Sequence, residues 1–223
     1  MFNVAIDGPA GAGKSSVSKE IAKRLGIIYM DTVAMYSAAA LYAIKNGIKI
    51  TEENMEKCLG DIDIDIKYDD NGQRIILNGE DVSERIREKD VSLGASDIAV
   101  IPCVRLKLVD IQRGLAKKTS VIMDGRDIGT YVLPDAEVKI FLTASSDERA
   151  KRRCLENEEK GLSADFEEIK KDIEYRDYQD SHREFAPLKQ AEDALLVDSS
   201  NMGFEEVVDY VISVIKNKCG VEE

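Results

Sequence analysis

Residues 8–15, GPAGAGKS, constrain this chain more than any other stretch. They follow a short apolar run, FNVAI at 2–6, and they open KSSVSKEIAKRLG, where Val17, Ile21 and Leu25 recur every fourth residue and Gly26 supplies a stop. A buried strand, a glycine-rich turn and an amphipathic helix are the expected consequence. Glycines let successive backbone N–H groups converge on one point without a Cβ in the way, and a helix N-terminus adds positive dipole there. Such a turn is a cradle for an anion.

The stretch fits G-x-x-x-x-G-K-[ST] at every position and sits in the strand-to-helix context that the pattern requires. It therefore predicts a nucleoside triphosphate site made of Gly8, Pro9, Ala10, Gly11, Ala12, Gly13, Lys14, Ser15 and Ser16. Lys14 would reach the β- and γ-phosphates, and the Ser15 hydroxyl would ligate the Mg²⁺ that accompanies the nucleotide. A cradle of this kind leaves kinase, GTPase and ATPase motor open.

The rest of the chain extends the βαβ rhythm. IIYM at 27–30 reads as a strand, and 34–46 as a helix closed by Asn46-Gly47. Apolar runs at 120–123, 137–142 and 194–197 alternate with helical segments at 146–160 and 165–179 and a final helix in FEEVVDYVISVIKN. The expectation is a three-layer α/β fold around a mainly parallel, five-stranded sheet. The rhythm breaks at DIDIDIKYDDNGQRIILNGEDV, residues 61–82, where polar and apolar residues alternate. That period of two, with Asp69-Asp70-Asn71-Gly72 between the runs, predicts an antiparallel hairpin with a third short strand. A long helical region is expected over 91–117. The organisation read from this is a core of 1–61, 91–145 and 186–223, an insertion at 62–90 and a short helical lid at 146–185.

Bulk properties narrow the partners. With 223 residues and 43% apolar content, the chain can bury one substantial core. A formal net charge of −12 disfavours a general nucleic-acid binder, so an anionic ligand needs a local basic pocket. No run approaches a membrane span, and the first apolar run stops at Asp7 without a basic leader. The four cysteines form no C-x-x-C pair, as in a reduced, cytoplasmic protein.

The remaining basic residues gather near turns and helix starts: Arg105, Arg126, Arg149, Arg152, Arg153, Arg176 and Arg183. Phosphoryl transfer must neutralise a second anionic substrate and the charge on the moving group, which arginine forks do well. DGRDIG, residues 124–129, places Arg126 and Asp127 on a turn after a buried strand.

IDGPAGAGKSS, DTVAMY, DGRDIGTYVLPDAEVKIFLTAS, ERAKRR and RDYQDSHREFAPLKQAEDA together resemble the bacterial cytidylate kinase family of P-loop proteins. The resemblance implies ATP as donor, CMP and dCMP as acceptors, a small monomer, and an acceptor-binding insertion. It assigns Arg126 and Arg183 to the acceptor phosphate, Asp127 to the cytosine amine, and Ser96 and Arg105 to the rest of the base. Thr32 and, near the sugar, Arg176 and Asp180 complete the substrate contacts. Lys14, Arg126, Arg153 and Arg183 are the expected catalytic cations, with Arg153 and Arg149 swinging over the phosphates from the lid.

Two positions depart from the family signature D-[ST]-G-A-x-Y-R, which here reads DTVAMYS. Ser37 replaces a phosphate-binding arginine, and Val33 replaces a glycine whose turn would favour φ > 0. The expectation is a weakened phosphotransferase. Another small-molecule kinase of the P-loop group, or a nucleotide-binding homologue without turnover, are the alternatives.

Overall fold

In the computed structural model, residues 1–69, 72–159, 161 and 163–220 are described. The chain forms two compact units, one from Met1–Tyr29 and Thr119–Glu223, the other from Met30–Lys118.

The first unit is built on the five-stranded sheet. β1 (Asn3–Asp7) lies at its centre, in parallel register with β6 (Val121–Gly125) on one side and β7 (Val138–Thr143) on the other. β7 pairs in parallel with β8 (Leu195–Asp198), and β2 (Ile28–Asp31) lies beyond β6. The core is assembled from Val4, Ile6, Ile122, Val138, Ile140 and Leu142 of the strands. Against them pack Val17 and Ile21 of α1 (Lys14–Leu25) and Val207, Val208, Val211 and Ile215 of α8 (Phe204–Cys219). Arg24 on α1 joins the two helices outside the core, bonding Glu20, Asp209 and Glu205. α6 (Ser146–Glu159) and α7 (Phe166–His182) share a small core of their own made of Ala150, Cys154, Ile169 and Ile173.

Parallel pairing sends the C-terminal ends of the strands to one edge, where open α/β sheets place ligands. Asp7 at the end of β1 lies level with Gly125 at the end of β6, so the glycine-rich turn and DGRD leave the sheet side by side.

The second unit contains α2 (Thr32–Lys45), α3 (Glu52–Cys58), a three-stranded antiparallel sheet, α4 (Lys89–Ile98) and α5 (Pro102–Ala116). The sheet runs β3 (Ile64–Asp69), β4 (Gly72–Leu77), β5 (Glu80–Asp81), with Ile64 opposite Leu77 and Ile66 opposite Ile75. The predicted turn residues Asp70 and Asn71 lie outside the described residues. β4 and β5 are joined by Asn78-Gly79, both at positive φ (49° and 84°), the backbone of a two-residue hairpin turn. α2 starts on the side chain of Asp31, which accepts from Ala34 N–H at 3.1 Å. Gln73 of β4 holds Asp31 in place by accepting its backbone N–H at 2.7 Å.

Two expectations need correction, and one helix was not foreseen. The helical region at 91–117 is two helices, because Pro102 starts α5 at a position where its missing N–H costs nothing and bars Ile101 from the helix before it. Ile101 is extended, with φ −82° and ψ 113°. α3 escaped the sequence pattern, since only Met55 and Cys58 of EENMEKC are buried. Val33 is not strained: it lies in the first turn of α2, is absent from the residues with positive φ, and points to solvent at 53% exposure. All four cysteines are free thiols.

Candidate active site

The cradle takes its shape from three glycines. Gly8 (φ 150°) leaves β1 so close to β7 that a Cβ would sit 1.9 Å from the Leu142 carbonyl oxygen. Gly11 and Gly13 have φ of 74° and 86° and alternate with residues of ordinary backbone, which turns N–H groups inward. α1 begins at once with Lys14, so the cradle floor is a helix N-terminus. Lys14 is buried and folds back across the loop, donating from Nζ to the Pro9 carbonyl at 2.7 Å. Burial, and then the Arg126 charge, pull its pKa from 10.5 to about 7, against the opposing pull of Asp124, Asp7 and Asp180.

Ser15, in the first turn of α1, donates from Oγ to Oδ2 of Asp124 at 2.7 Å, and Tyr29 donates its hydroxyl to the other oxygen at 2.8 Å. Asp124 is the first residue of DGRD and is buried at the end of β6. This hydroxyl-carboxylate pair supplies hard oxygen donors, which suit a Mg²⁺ that keeps most of its waters and phosphate ligands. Sequence reasoning missed Asp124. An acid at the end of a strand beside the cradle's own strand was the available signal.

Asp7 was missed as well. It is buried, and accepts from the backbone N–H groups of Ile128 and Gly129 at 2.8 and 2.7 Å. Those residues open a π-turn, Ile128–Val132, that fixes the chain leaving DGRD. Burial raises the Asp7 pKa to about 6 in spite of both hydrogen bonds.

α7 carries Arg176 and Asp180, and Arg183 follows its last residue. Arg126 pairs with Asp180 (Nε to Oδ2, 2.6 Å), and Arg183 with Asp127 (Nη2 to Oδ1, 2.9 Å). The second pair is nearly withdrawn from water, at 9% and 8% side-chain exposure. Arg183 also donates from Nε to the carbonyl of Ala186 at 2.7 Å. Ala186 has φ 46° and precedes Pro187, a conformation that alanine adopts only when its surroundings enforce it. The APL sequence is thus a strained bracket that holds Arg183. Arg176 presents much of its surface to solvent, yet desolvation, followed by the charges of Arg126 and Arg153, lowers its pKa. Arg126 thus acts on both Lys14 and Arg176, and Arg153 acts on Arg176, which gathers these cations near the cradle.

The lid arginines divide. Arg153, on α6, bonds Glu156 at 2.9 Å. Arg152 donates to Oγ and the carbonyl of Ser199 at 3.1 and 2.7 Å, and it borders Gly13. Arg149, expected to swing over the phosphates, is placed here buried and bonded to the backbone of Ala144 and Ala10 and to Asp177. His182 is exposed and stacks on Tyr178 with ring centroids 4.0 Å apart.

In the second unit, Arg105 is buried on α5. It donates to the Ala99 carbonyl at 3.0 Å and lies over the Tyr36 ring, 5.6 Å from the centroid. Ser96 is exposed on α4, Thr32 is buried at the start of α2, and Ser37 is buried one turn further on.

Comparison with known proteins agrees with this geometry. The family model for cytidylate kinase matches residues 4–217. A cytidylate kinase of Caldicellulosiruptor saccharolyticus is 53% identical over 222 residues, covering 99% of this chain and 98% of its own. One from Lactobacillus johnsonii is 50% identical over 219 residues, covering 98% and 95%. A crystal structure of an uncharacterized protein from Eubacterium ventriosum shares the fold, with TM-score 0.54 at 15% identity over 97% of this chain and 99% of that one. A match across nearly the whole length, with the cradle and DGRD in place, settles the family: this chain belongs to the cytidylate kinases.

Proposed function

We propose that the protein transfers the γ-phosphoryl group of ATP to CMP, and to dCMP, giving the nucleoside diphosphate and ADP. The observation that supports this best is a cluster of cations beside the cradle: Arg126 lies near enough to Lys14, and Arg126 and Arg153 near enough to Arg176, for their charges to act on one another. Two anionic substrates brought together repel one another, and a cluster of positive charge offsets that repulsion and the charge on the group in transit.

An oxygen of the CMP phosphate attacks the γ-phosphorus in line, a new P–O bond forms, and the bond to the bridging oxygen breaks with its electron pair leaving on ADP. No side-chain nucleophile is needed; positioning and charge neutralisation carry the step. The turn at 8–16 holds the triphosphate, with Lys14 at its β- and γ-phosphates. Ser15 and Asp124 would hold the Mg²⁺, which supplies Lewis-acid neutralisation of phosphate oxygens when bound. Arg126 and Arg183 take the acceptor phosphate, Arg176 and Asp180 lie toward the sugar, and Thr32, Ser96 and Arg105 add substrate contacts. Arg153 closes from the lid and helps to exclude water.

Asp127 reads the base. A carboxylate accepts from the 4-amino group of cytosine and faces the carbonyl of uracil repulsively, so CMP is chosen over UMP partly by rejection. Residues 62–90 serve acceptor binding and 146–185 the lid. The enzyme is a cytoplasmic monomer without nucleic-acid partners; among the described residues no helix is long and apolar enough to cross a membrane.

Loss of the arginine at position 37 removes one charge-assisted contact to the acceptor phosphate, a cost of about 1.5–3 kcal/mol, or roughly ten- to a hundredfold in rate. A coupled ADP-release assay with CMP, dCMP, UMP, AMP and shikimate as acceptors tests the reading. Turnover should be confined largely to CMP and dCMP. Preference for another acceptor, or ATP and CMP binding with no CDP formed, would overturn it.

A further inference from the structure

Arg149 and Asp177 are the most heavily bonded charged pair near the cradle, and phosphoryl transfer as described above gives neither a role. Arg149 Nη1 bonds Oδ2 of Asp177 at 2.6 Å and also the carbonyl of Ala10 at 2.8 Å, while its Nε bonds the Ala144 carbonyl at 2.9 Å. The other oxygen of Asp177, Oδ1, accepts the N–H of Ala10 at 2.9 Å. Both polar groups of one cradle residue are thus taken by a single ion pair, one partner from α6 and one from α7. An independent feature marks the same place. A Cβ on the next residue, Gly11, would lie 3.3 Å from Cβ of Arg149 and 3.6 Å from Cδ1 of Ile173. Ile173 belongs to the small core that binds α6 to α7, so the two helices press on Ala10 and Gly11 as one body.

We infer that Arg149 and Asp177 are a positioning pair for the nucleotide cradle: they fix the Ala10–Gly11 peptides in the orientation that presents the following N–H groups to the triphosphate, and they tie that orientation to the lid helices. A short loop with two left-handed glycines has many other conformations open to it. The pair selects one. It acts through the backbone and touches neither substrate, so its loss falls on ATP and spares CMP.

The inference rests on residues 8–15 being the triphosphate cradle, and the experiment separates the two ideas. Steady-state kinetics are measured for Arg149→Met, Asp177→Ala, the double variant and Asp177→Asn, with Lys14→Ala as control. Each single loss should raise KM for ATP by about tenfold or more while KM for CMP stays within about twofold. The double variant should cost little more than the worse single, because the pair acts as one unit. Asp177→Asn keeps an acceptor for Ala10 N–H and loses the charge opposite Arg149, so it should recover part of the ATP affinity. It also decides the matter if the harsher variants do not fold. Equal effects on both KM values, wild-type ATP kinetics in any folded variant, or fully additive losses would overturn the pair's role. Unchanged ATP kinetics in Lys14→Ala would instead overturn the cradle itself.

Discussion

The cradle and DGRD, which leave the sheet side by side, handle charge in opposite ways. At the cradle a single buried ammonium, Lys14, sits among inward-turned backbone N–H groups and is pulled toward neutrality. At DGRD and α7, charges come matched: Arg126 with Asp180, Arg183 with Asp127. A buried ammonium pulled toward neutrality by its surroundings regains its charge on meeting a polyphosphate. A set of paired groups gains only when an incoming ligand replaces the bonds it breaks, as a phosphate joined to a base with an amine can. On the proposed function, the cradle would supply affinity and DGRD discrimination.

The largest test of that contrast is Lys14→Ala. It should lower kcat by roughly 10²–10³-fold, measured as ADP release, while calorimetric binding of CMP is nearly unchanged. Equal loss of CMP binding would merge the two ends into one.

Gly8→Ala comes next. Its Cβ would collide with the Leu142 carbonyl, and its φ of 150° is one that alanine avoids. A loss of about 3 kcal/mol or more is expected in denaturant unfolding.

Ser37→Arg adds a cation where the family has one and should raise kcat/KM for CMP by roughly ten- to a hundredfold. Because Val33 is an unstrained helical residue, Val33→Gly alone should bring no gain and cost about 1 kcal/mol of stability. Improvement from Val33→Gly alone would show that the glycine matters for ligand approach.

The pH profile separates the ends more gently. Lys14 has a lowered pKa, so its charge is present below about 7 and is lost above it. kcat/KM for ATP should therefore fall by up to about tenfold per unit above that point. Lys14→Arg should flatten this limb, since a guanidinium keeps its proton. The sign for folding is the reverse: a depressed lysine contributes stability above 10.5 that is lost as pH falls toward 7.

The smallest effect is on selectivity. Asp127→Ala should narrow the CMP-over-UMP ratio, and it also strips Arg183 of its partner, so the melting temperature should drop with it. An unchanged ratio would place base reading elsewhere.

What could be read in the sequence follows the same division. The cradle was legible because its chemistry is local: eight consecutive residues and a helix start. The sheet was legible from apolar runs, and the β insertion from its alternation. Asp7, Asp124 and Asp177 were not, because each earns its place from a partner 109 to 167 residues away: Asp7 from Ile128 and Gly129, Asp124 from Ser15, Asp177 from Ala10. A lone aspartate carries no mark of such a partner. The burial of Arg149 was not legible for a related reason. Three arginines within five residues of a helix look alike, and only packing shows that one faces inward.

The order of strands in the first sheet has a consequence for how the chain is made. β1, residues 3–7, is the central strand, yet its neighbours begin at residues 121 and 138. The ribosome releases the middle of the sheet first and both flanks more than a hundred residues later. Closing loops of that length makes assembly slow, and through most of synthesis the apolar FNVAI segment waits without hydrogen-bonding partners on either side.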